Sequence, residues 1–547
     1  MENIPRKIYL SVTFILVLLY IWFACLQYTE FFYEAQFLHI DFIHDLVNGA
    51  FNAKHFFTTF GEHLFPGYNV LLYVNYTLFG LTGLFELVCS VLASIVMAYV
   101  LCKAATKEKR SSWLPLVIVA IVLSPVQNIM WGMALAAHLS TLLLVLIAYL
   151  IYFKPSTPSQ WIWISLLVPI YVVFFAGAYA VGFLAVIASV CVLGDIQKDK
   201  KTGLVLLGAS LISYLAYYYL LEHYGPGLSH SAMGYDFNFT SIAGFADLML
   251  GSSLLGKALF EKYQSLTIYY VAGFYVCCIL LLMAGAILFK IKGKLTNQDK
   301  FFIALCVYAL VNIVIVSIAR NTNGPEGALG QWYQAHLKFI PVAIAYFLSS
   351  NETQSKGYTI ARYLLLSILV TFLSLGYVRE YIKGPYVSGW KSNINASIPE
   401  HFVHPERFLS SKNSDPLSWD AQAVHDGLKL LYNNNLSHFR HSKAIASTGL
   451  NPDGWVEKTD DPFFDVICPS AAKSIIIHFD RINMNNMGFF PKNTHLVNQH
   501  EAYQITYYFH NEIKYFRLNV SKFAPYQSEN ARDLRILLFH VTDLQCV

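Results

Sequence analysis

From Ile8 to Gln27 the chain contains no Asp, Glu, Lys or Arg, and apolar runs of this kind recur as far as Tyr377. A helix needs ~20 predominantly apolar residues to cross the hydrocarbon of a bilayer. Inside lipid each backbone N–H and C=O must be satisfied within its own segment or a closed barrel, so long apolar runs cross as packed helices. Composition agrees: of 547 residues, 56% are hydrophobic and only 13% charged, against about 25% charged in soluble proteins. The fold class is therefore a polytopic α-helical membrane protein whose first partner is the lipid bilayer. A net charge of +4 without a basic patch leaves no surface for nucleic acid.

Charge assigns the two sides. Cytoplasmic loops carry the excess of Lys and Arg, so Arg6 and Lys7 hold the N-terminus in the cytoplasm. The first apolar run is too long, and lacks the small-residue site, for a cleaved signal peptide. About 11 transmembrane helices are expected, at Ile8–Gln27, Leu84–Cys102, Trp113–Trp131, Met133–Phe153, two within Trp161–Gly194, Leu204–Leu221, Leu266–Phe289, Phe302–Ala319, Trp332–Leu348 and Ile360–Tyr377. A single helix over Trp161–Gly194 would put Lys198, Lys200 and Lys201 outside, so a tight external turn is placed near Gly177–Gly182. The segment between Leu221 and Leu266 is read as external. Tyr68–Gly83 reads either as an interfacial helix or as the start of one long tilted second helix.

This divides the chain into a transmembrane domain, 1–377, with a first external loop at 28–65, and an extracytoplasmic C-terminal domain, 378–547. The tail has helical spacing over Trp419–Phe439. Strand-like runs come after it at Lys473–Phe479, Ala502–Phe509, Ile513–Val520 and Leu534–Val541, which predict a β-rich, sandwich-like α+β domain. Seven of nine cysteines lie in apolar runs. Cys468 and Cys546 lie in the tail, where they can pair in an oxidising compartment. No metal-binding Cys/His spacing occurs, so no metal site is assigned.

Chemistry-bearing residues collect on the outer side. The first external loop holds Glu30, Glu34, Asp41, Asp45 and Glu62, with Lys54 its only full positive charge. Glu62 and His63 stand just before Pro66 at a helix start. There a carboxylate is either a partner of the helix dipole or a base that takes a proton from a hydroxyl. Asp41 and Asp45, four apart, share a helix face; they are either a solvated face or, with Glu62, catalytic carboxylates. In Arg320–Lys338, Arg320 sits at a helix mouth and His336 and Lys338 just inside the next helix, a set that attracts phosphate. Snorkelling to water accounts for Arg320 but less readily for Lys338, which an apolar run follows. Glu222 and His223 end the seventh crossing and read as an acceptor groove or as plain polar loop.

The pattern resembles the GT-C superfamily, membrane glycosyltransferases that take sugars from polyprenyl-phosphate carriers. Within it, the chain is similar to bacterial and phage serotype-converting O-antigen glucosyltransferases. Three features carry the resemblance: the carboxylate-bearing first loop, Gly61-Glu62-His63 leading into Tyr73–Gly80, and Arg320 through Tyr333. Many relatives have Asn-Glu-His-Arg in the first motif and Arg-Tyr in the second; here Gly61 precedes Glu62, Leu64 replaces the Arg, and Trp332 precedes Tyr333. The resemblance implies an inverting transfer of a hexosyl group, with glucosyl the first expectation, from polyprenyl phosphate to a lipid-linked glycan such as O-antigen. It places that lipopolysaccharide modification on the periplasmic face of a bacterial inner membrane. Glu62, Asp41 or Asp45 would serve as base, Arg320, Lys338, His63 and His336 would hold the donor phosphate, and Trp332, Tyr333, Glu222 and His223 the acceptor. It implies no organic cofactor, leaves a divalent metal open, and makes a flippase and a polyprenyl-phosphate glucosyltransferase pathway partners. Two other classes share the layout. One is a polytopic transporter or flippase of lipid-linked saccharides, signalled by inverted repeats and mid-span charges; the sequence contains no such repeat. The other is a non-catalytic cell-envelope assembly subunit.

Overall fold

The computed structural model describes residues 6–28, 37, 39–60, 63–106, 113–124, 134–153, 157–193, 199–224, 237–263, 273–274, 278, 295–323, 327–328, 331–349, 356–383, 398, 401, 421–434, 436–437, 445–446, 455–457, 463–483, 486, 494–499, 502–526 and 537–547. The chain forms two compact units. One comprises Met1–Tyr28, Asn52–Tyr73 and Leu84–Ser388; the other comprises Thr29–Phe51, Val74–Gly83 and Gly389–Val547.

The first unit is a helical bundle, and the chain is a multi-pass membrane protein. Its helices are α1 (Arg6–Gln27), α3 (Pro66–Phe79, shared with the second unit), α4 (Gly83–Ala105), α5 (Leu114–Val122), α6 (Ala134–Phe153), α7 (Pro158–Pro169), α8 (Val181–Leu193), α9 (Asp199–Tyr224), α10 (Phe239–Tyr263), α11 (Asn297–Arg320), α12 (Gln331–Leu337), α13 (Phe339–Leu348) and α14 (Lys356–Lys383); α2 (Ile40–Val47) belongs to the second unit. Among the described residues, eight helical stretches are long and apolar enough to cross a membrane: Ile8–Leu26, Gly83–Ala105, Ala134–Phe153, Ser159–Ala176, Leu204–Tyr224, Phe239–Gly256, Asn297–Arg320 and Thr359–Ile382. Large apolar side chains stand exposed along α1 (Phe14, Leu18, Trp22), α9 (Leu211, Ile212, Leu215) and α14 (Ile360, Leu364, Leu375). An apolar surface of that extent needs a non-aqueous neighbour, here lipid. By contrast α11 and α13 are buried on most sides.

These spans differ from the expected 11. The third crossing is represented by α5, with 125–133 outside the described residues, and Leu266–Phe289 lies almost wholly outside them. The sixth is α8, only 13 residues long. The tenth is divided at Lys338 into α12 and α13, because Pro341 supplies no N–H to the turn before it. The break within Trp161–Gly194 falls at Gly177, inside the expected turn. The largest correction is α10, in the stretch read as external: Phe245, Met249, Leu250, Leu254 and Leu255 are buried in the bundle core. Its serines lower the apparent hydropathy, but Ser252 Oγ donates to the Met249 carbonyl at 3.1 Å and Ser253 Oγ to that of Leu250 at 2.7 Å. Bonded to their own helix, these hydroxyls are cheap to bury.

Within Tyr68–Gly83 the chain forms α3, a helix separate from α4. Gly80 (φ 66°) and Leu81 (φ 64°) turn the chain, and Asn75 clasps Thr82, giving Nδ2–H to its carbonyl and accepting its N–H, both at 3.1 Å.

The second unit contains α2, α15 (Ala421–Asn433) and strands β3 (Ile445–Ala446), β4 (Trp455–Glu457), β5 (Phe463–Ile482), β6 (Thr494–Gln499), β7 (Ala502–Asn519) and β8 (Leu537–Cys546). They form one antiparallel sheet ordered β4-β8-β5-β7-β6, with β3 also on β5. A sandwich was expected; the described strands instead make a single sheet. The runs Ala502–Phe509 and Ile513–Val520 are halves of one strand, carried past His510-Asn511-Glu512 because β5 is irregular between Ile467 and Ser474, where Pro469 lies. Ile475, Ile477, Phe479, Ile505, Leu518 and Phe539 lie in its core. Cys468 and Cys546 are joined in a disulfide with Cα atoms 5.7 Å apart. Asp465, wholly buried, accepts from Arg517 at 2.8 and 3.1 Å and from the Tyr515 hydroxyl at 2.7 Å.

Candidate functional site

The motif around Glu62 is a β-hairpin in the first unit. β1 (Thr59–Phe60) pairs with β2 (His63–Leu64), Thr59 opposite Leu64 and Phe60 opposite His63. The two residues joining the strands, Gly61 and Glu62, lie outside the described residues, and of His63 only the backbone is described. From Leu64 onward the chain is firmly seated. Leu64 is wholly buried among Val173, Tyr217 and Leu221. Phe65 lies against Gly177, whose φ of +52° few residues other than glycine adopt. At Gly67 a Cβ would stand 2.5 Å from the Phe175 ring and 2.8 Å from the Phe174 carbonyl, so the start of α3 needs a bare backbone there. Buried Asn69 gives both Nδ2 protons to the hairpin base, to the carbonyls of Phe56 and Thr58, each at 3.0 Å.

The other side of the same turn meets the Arg320–Lys338 stretch. Tyr179, two residues after Gly177, stacks on His336 with ring centroids 4.0 Å apart and planes 16° from parallel. Burial raises the Tyr179 phenol well above its ordinary pKa; Tyr333 adds to the shift and the positive charge of Arg320 opposes it. Arg320 lies within electrostatic range of Tyr179 in that turn. It ends α11, where the negative end of the helix dipole favours a cation. Tyr333 is buried on α12, while the Trp332 side chain lies outside the described ones. Gln334 donates to Ser252 of α10 at 2.7 Å. His336 Nδ1 is 2.8 Å from the Tyr308 hydroxyl, which accepts from Tyr171 at 3.2 Å. Lys338, at the α12–α13 junction, is wholly buried.

The remaining candidates are placed differently. Asp41 and Asp45 lie on α2 of the second unit, Asp41 exposed and Asp45 half-buried with the His44 ring nitrogen at 3.5 Å. They do share one face, and the opposite face (Phe42, Ile43, Leu46) is buried. The structure assigns this acidic pair and the hairpin to different units. Glu222 and His223 are exposed in the last turn of α9, with His223 stacked on Tyr219. No group of three or more metal-ligating side chains occurs among the described residues.

Sequence reasoning passed over Glu86, which is buried in the first turn of α4 and accepts from the Tyr68 hydroxyl at 3.3 Å. An ionisable group inside an apolar run was the available signal. It also passed over Tyr171, Tyr179 and Tyr308. Tyrosines in membrane helices are too common to stand out, and only packing brought these to His336.

No protein-family model, no curated protein and no solved structure matches the chain.

Proposed function

We propose that the protein is a GT-C-type membrane glycosyltransferase. It moves a hexosyl group, glucosyl by the resemblance, from a polyprenyl-phosphate carrier to a lipid-linked glycan such as O-antigen. The observation that carries this reading is the turn Gly177–Ala180: Phe65, at the foot of the Glu62 hairpin, packs on Gly177, and His336 stacks on Tyr179. The segment that follows Glu62 in sequence and the helix that carries His336 and Lys338 thus meet at one turn. Such a pairing suits a reaction that needs a base at one point and an anion-binding group at another.

In this reading the acceptor hydroxyl gives its proton to Glu62 as its oxygen bonds to the anomeric carbon. The bond from that carbon to the phosphate oxygen breaks, and the pair of electrons leaves on polyprenyl phosphate. Single displacement inverts the centre. Arg320, His336 and Lys338 oppose the charge growing on the leaving phosphate, and donors fixed in a dry site are most effective there. The disulfide favours an oxidising, exported location for the tail, Arg6 and Lys7 favour a cytoplasmic N-terminus, and the resemblance adds a periplasmic working face in a bacterial inner membrane. Trp332, Tyr333, Glu222 and His223 remain the candidates for the acceptor.

Membrane vesicles supplied with polyprenyl-phosphate glucose and lipid-linked glycan test the proposal. Glu62→Gln keeps the side-chain size and removes the basicity; it is expected to lower turnover by about 10²-fold or more with normal membrane insertion. If Asp41→Asn or Asp45→Asn abolishes transfer while Glu62→Gln stays near wild type, the base is an aspartate. Activity in all three would take away the main physical support of the reading, and no transfer by the wild type would sink it. A second reading, a flippase for lipid-linked saccharides, is favoured by one observation: the helix broken at buried Lys338, since broken helices with buried ionisable groups mark transport sites. Donor scrambling across proteoliposomes without product would select it.

A further inference from the structure

Tyr171, Tyr308 and His336 form a buried chain with a direction. Tyr171 donates its hydroxyl proton to the Tyr308 oxygen at 3.2 Å. Tyr308 keeps its own hydroxyl proton to give, and His336 Nδ1 lies 2.8 Å from its oxygen. A neutral imidazole carries its proton on one nitrogen only; with Nδ1 accepting, the proton sits on Nε2. His336 is 1% exposed, and its Nε2 has no hydrogen-bond partner among the described residues. Stacking on Tyr179 fixes the plane of the ring, so the N–H direction is set as well. A buried N–H facing no acceptor is unfavourable, and a bound oxygen would offset that cost.

We propose that Tyr171 and Tyr308 are positioning residues that hold His336 as its Nε2–H tautomer, so that it donates to a phosphate oxygen of the lipid carrier. The inference rests on the transferase reading for the identity of the ligand, but not for the tautomer. Its chemistry selects between the donor's two ends. A sugar hydroxyl both gives and takes hydrogen bonds and would accept either tautomer. A phosphate oxygen of the carrier only accepts, so it requires a fixed donor. Lys338, two residues on and wholly buried, adds a second donor group to the same segment.

Solid-state NMR of the full-length protein, labelled with 15N-histidine and held in lipid bilayers, reads the tautomer directly. A difference spectrum against His336→Asn picks its signals out of 18 histidines. The expected result is a protonated Nε2 and an unprotonated, hydrogen-bonded Nδ1. Farnesyl phosphate should shift the Nε2–H signal, while farnesol and inorganic phosphate should not. Tyr308→Phe, nearly isosteric, should mix the tautomers and weaken farnesyl phosphate binding about tenfold; Tyr171→Phe should do the same to a smaller degree. A proton on Nδ1 in the wild type, or a Tyr308→Phe protein with unchanged spectrum and affinity, overturns the proposal. So does the expected tautomer with no response to farnesyl phosphate, or with a response to inorganic phosphate alone. If instead the tautomer and the farnesyl phosphate shift hold while the wild-type protein transfers no sugar in the vesicle assay, the transferase reading falls and the positioning of His336 stands.

Discussion

Replacing Asn69 by Ala removes two hydrogen bonds at once. Its amide nitrogen holds the carbonyls of Phe56 and Thr58, each at 3.0 Å, from a side chain that is wholly buried. Those carbonyls belong to the strand-entry segment of the hairpin, so Asn69 ties the hairpin to the first turn of α3. At about 1 kcal/mol net for each neutral bond, the loss is about 2 kcal/mol, or about 30-fold in the equilibrium between seated and released hairpin. Bundle packing is untouched, since Leu64, Phe65 and Gly67 keep their contacts. Hydrogen exchange is the assay, because amide protection reports local opening even where the rest of the fold is intact. Peptides covering 56–65 should exchange about 30-fold faster in Asn69→Ala, with those from α6 and α11 unchanged. Asn69→Asp should be worse, as a carboxylate would face two carbonyl oxygens. If the hairpin positions the base, turnover should fall in parallel. Unchanged exchange would refute the tether; faster exchange with undiminished transfer would show that hairpin position does not matter for the reaction.

Four further outcomes are expected. Glu62→Gln should lose about 10²-fold in turnover in the vesicle assay; near-normal transfer would remove Glu62 as the base. The Cys468–Cys546 bridge closes a loop with a sequence separation of 78; its removal as a Cys468→Ala, Cys546→Ala double variant should destabilise the second unit by about 4.5 kcal/mol, read by urea-dependent proteolysis of the full chain. An equal midpoint in both proteins would argue against it. Arg517→Ala removes the cation paired with the buried Asp465 carboxylate and should cost about 3 kcal/mol, whereas Asp465→Asn with Arg517→Gln should recover part of the loss; a neutral Arg517→Ala would show that the charge pair contributes nothing to stability. A reporter active only outside the cytoplasm should work when fused after Trp390, and a cytoplasmic signal there would reverse the orientation and remove the periplasmic assignment.

Several parts of the fold were legible in residue order. The break at Gly177 followed from Lys198, Lys200 and Lys201, because a loop's basic charge constrains which side it occupies. Other parts were illegible for equally physical reasons. α10 was missed because Ser252 and Ser253 lower its hydropathy, and their bonds to backbone carbonyls show only once the helix is built. The sheet was read as two short strands where β7 is one, because the polar residues between them look like a turn unless the irregular partner is seen. The pairing of Cys468 with Cys546 was permitted by composition, but only neighbouring strands β5 and β8 bring their Cα atoms within bonding range.

Membrane residence is written into this chain locally: long uncharged runs decide it, since each helix satisfies its backbone within itself. The same is true of the acidic first loop and of the basic set at 320–338, which are properties of residue order. Their relation is not. That Phe65 and His336 meet one turn, that Tyr308 faces Nδ1 of His336, and that Asp41 and Asp45 belong to a different unit from the hairpin are long-range contacts. Contacts of that kind come from side-chain shapes packing across helices distant in sequence, which hydrophobic periodicity and charge do not encode.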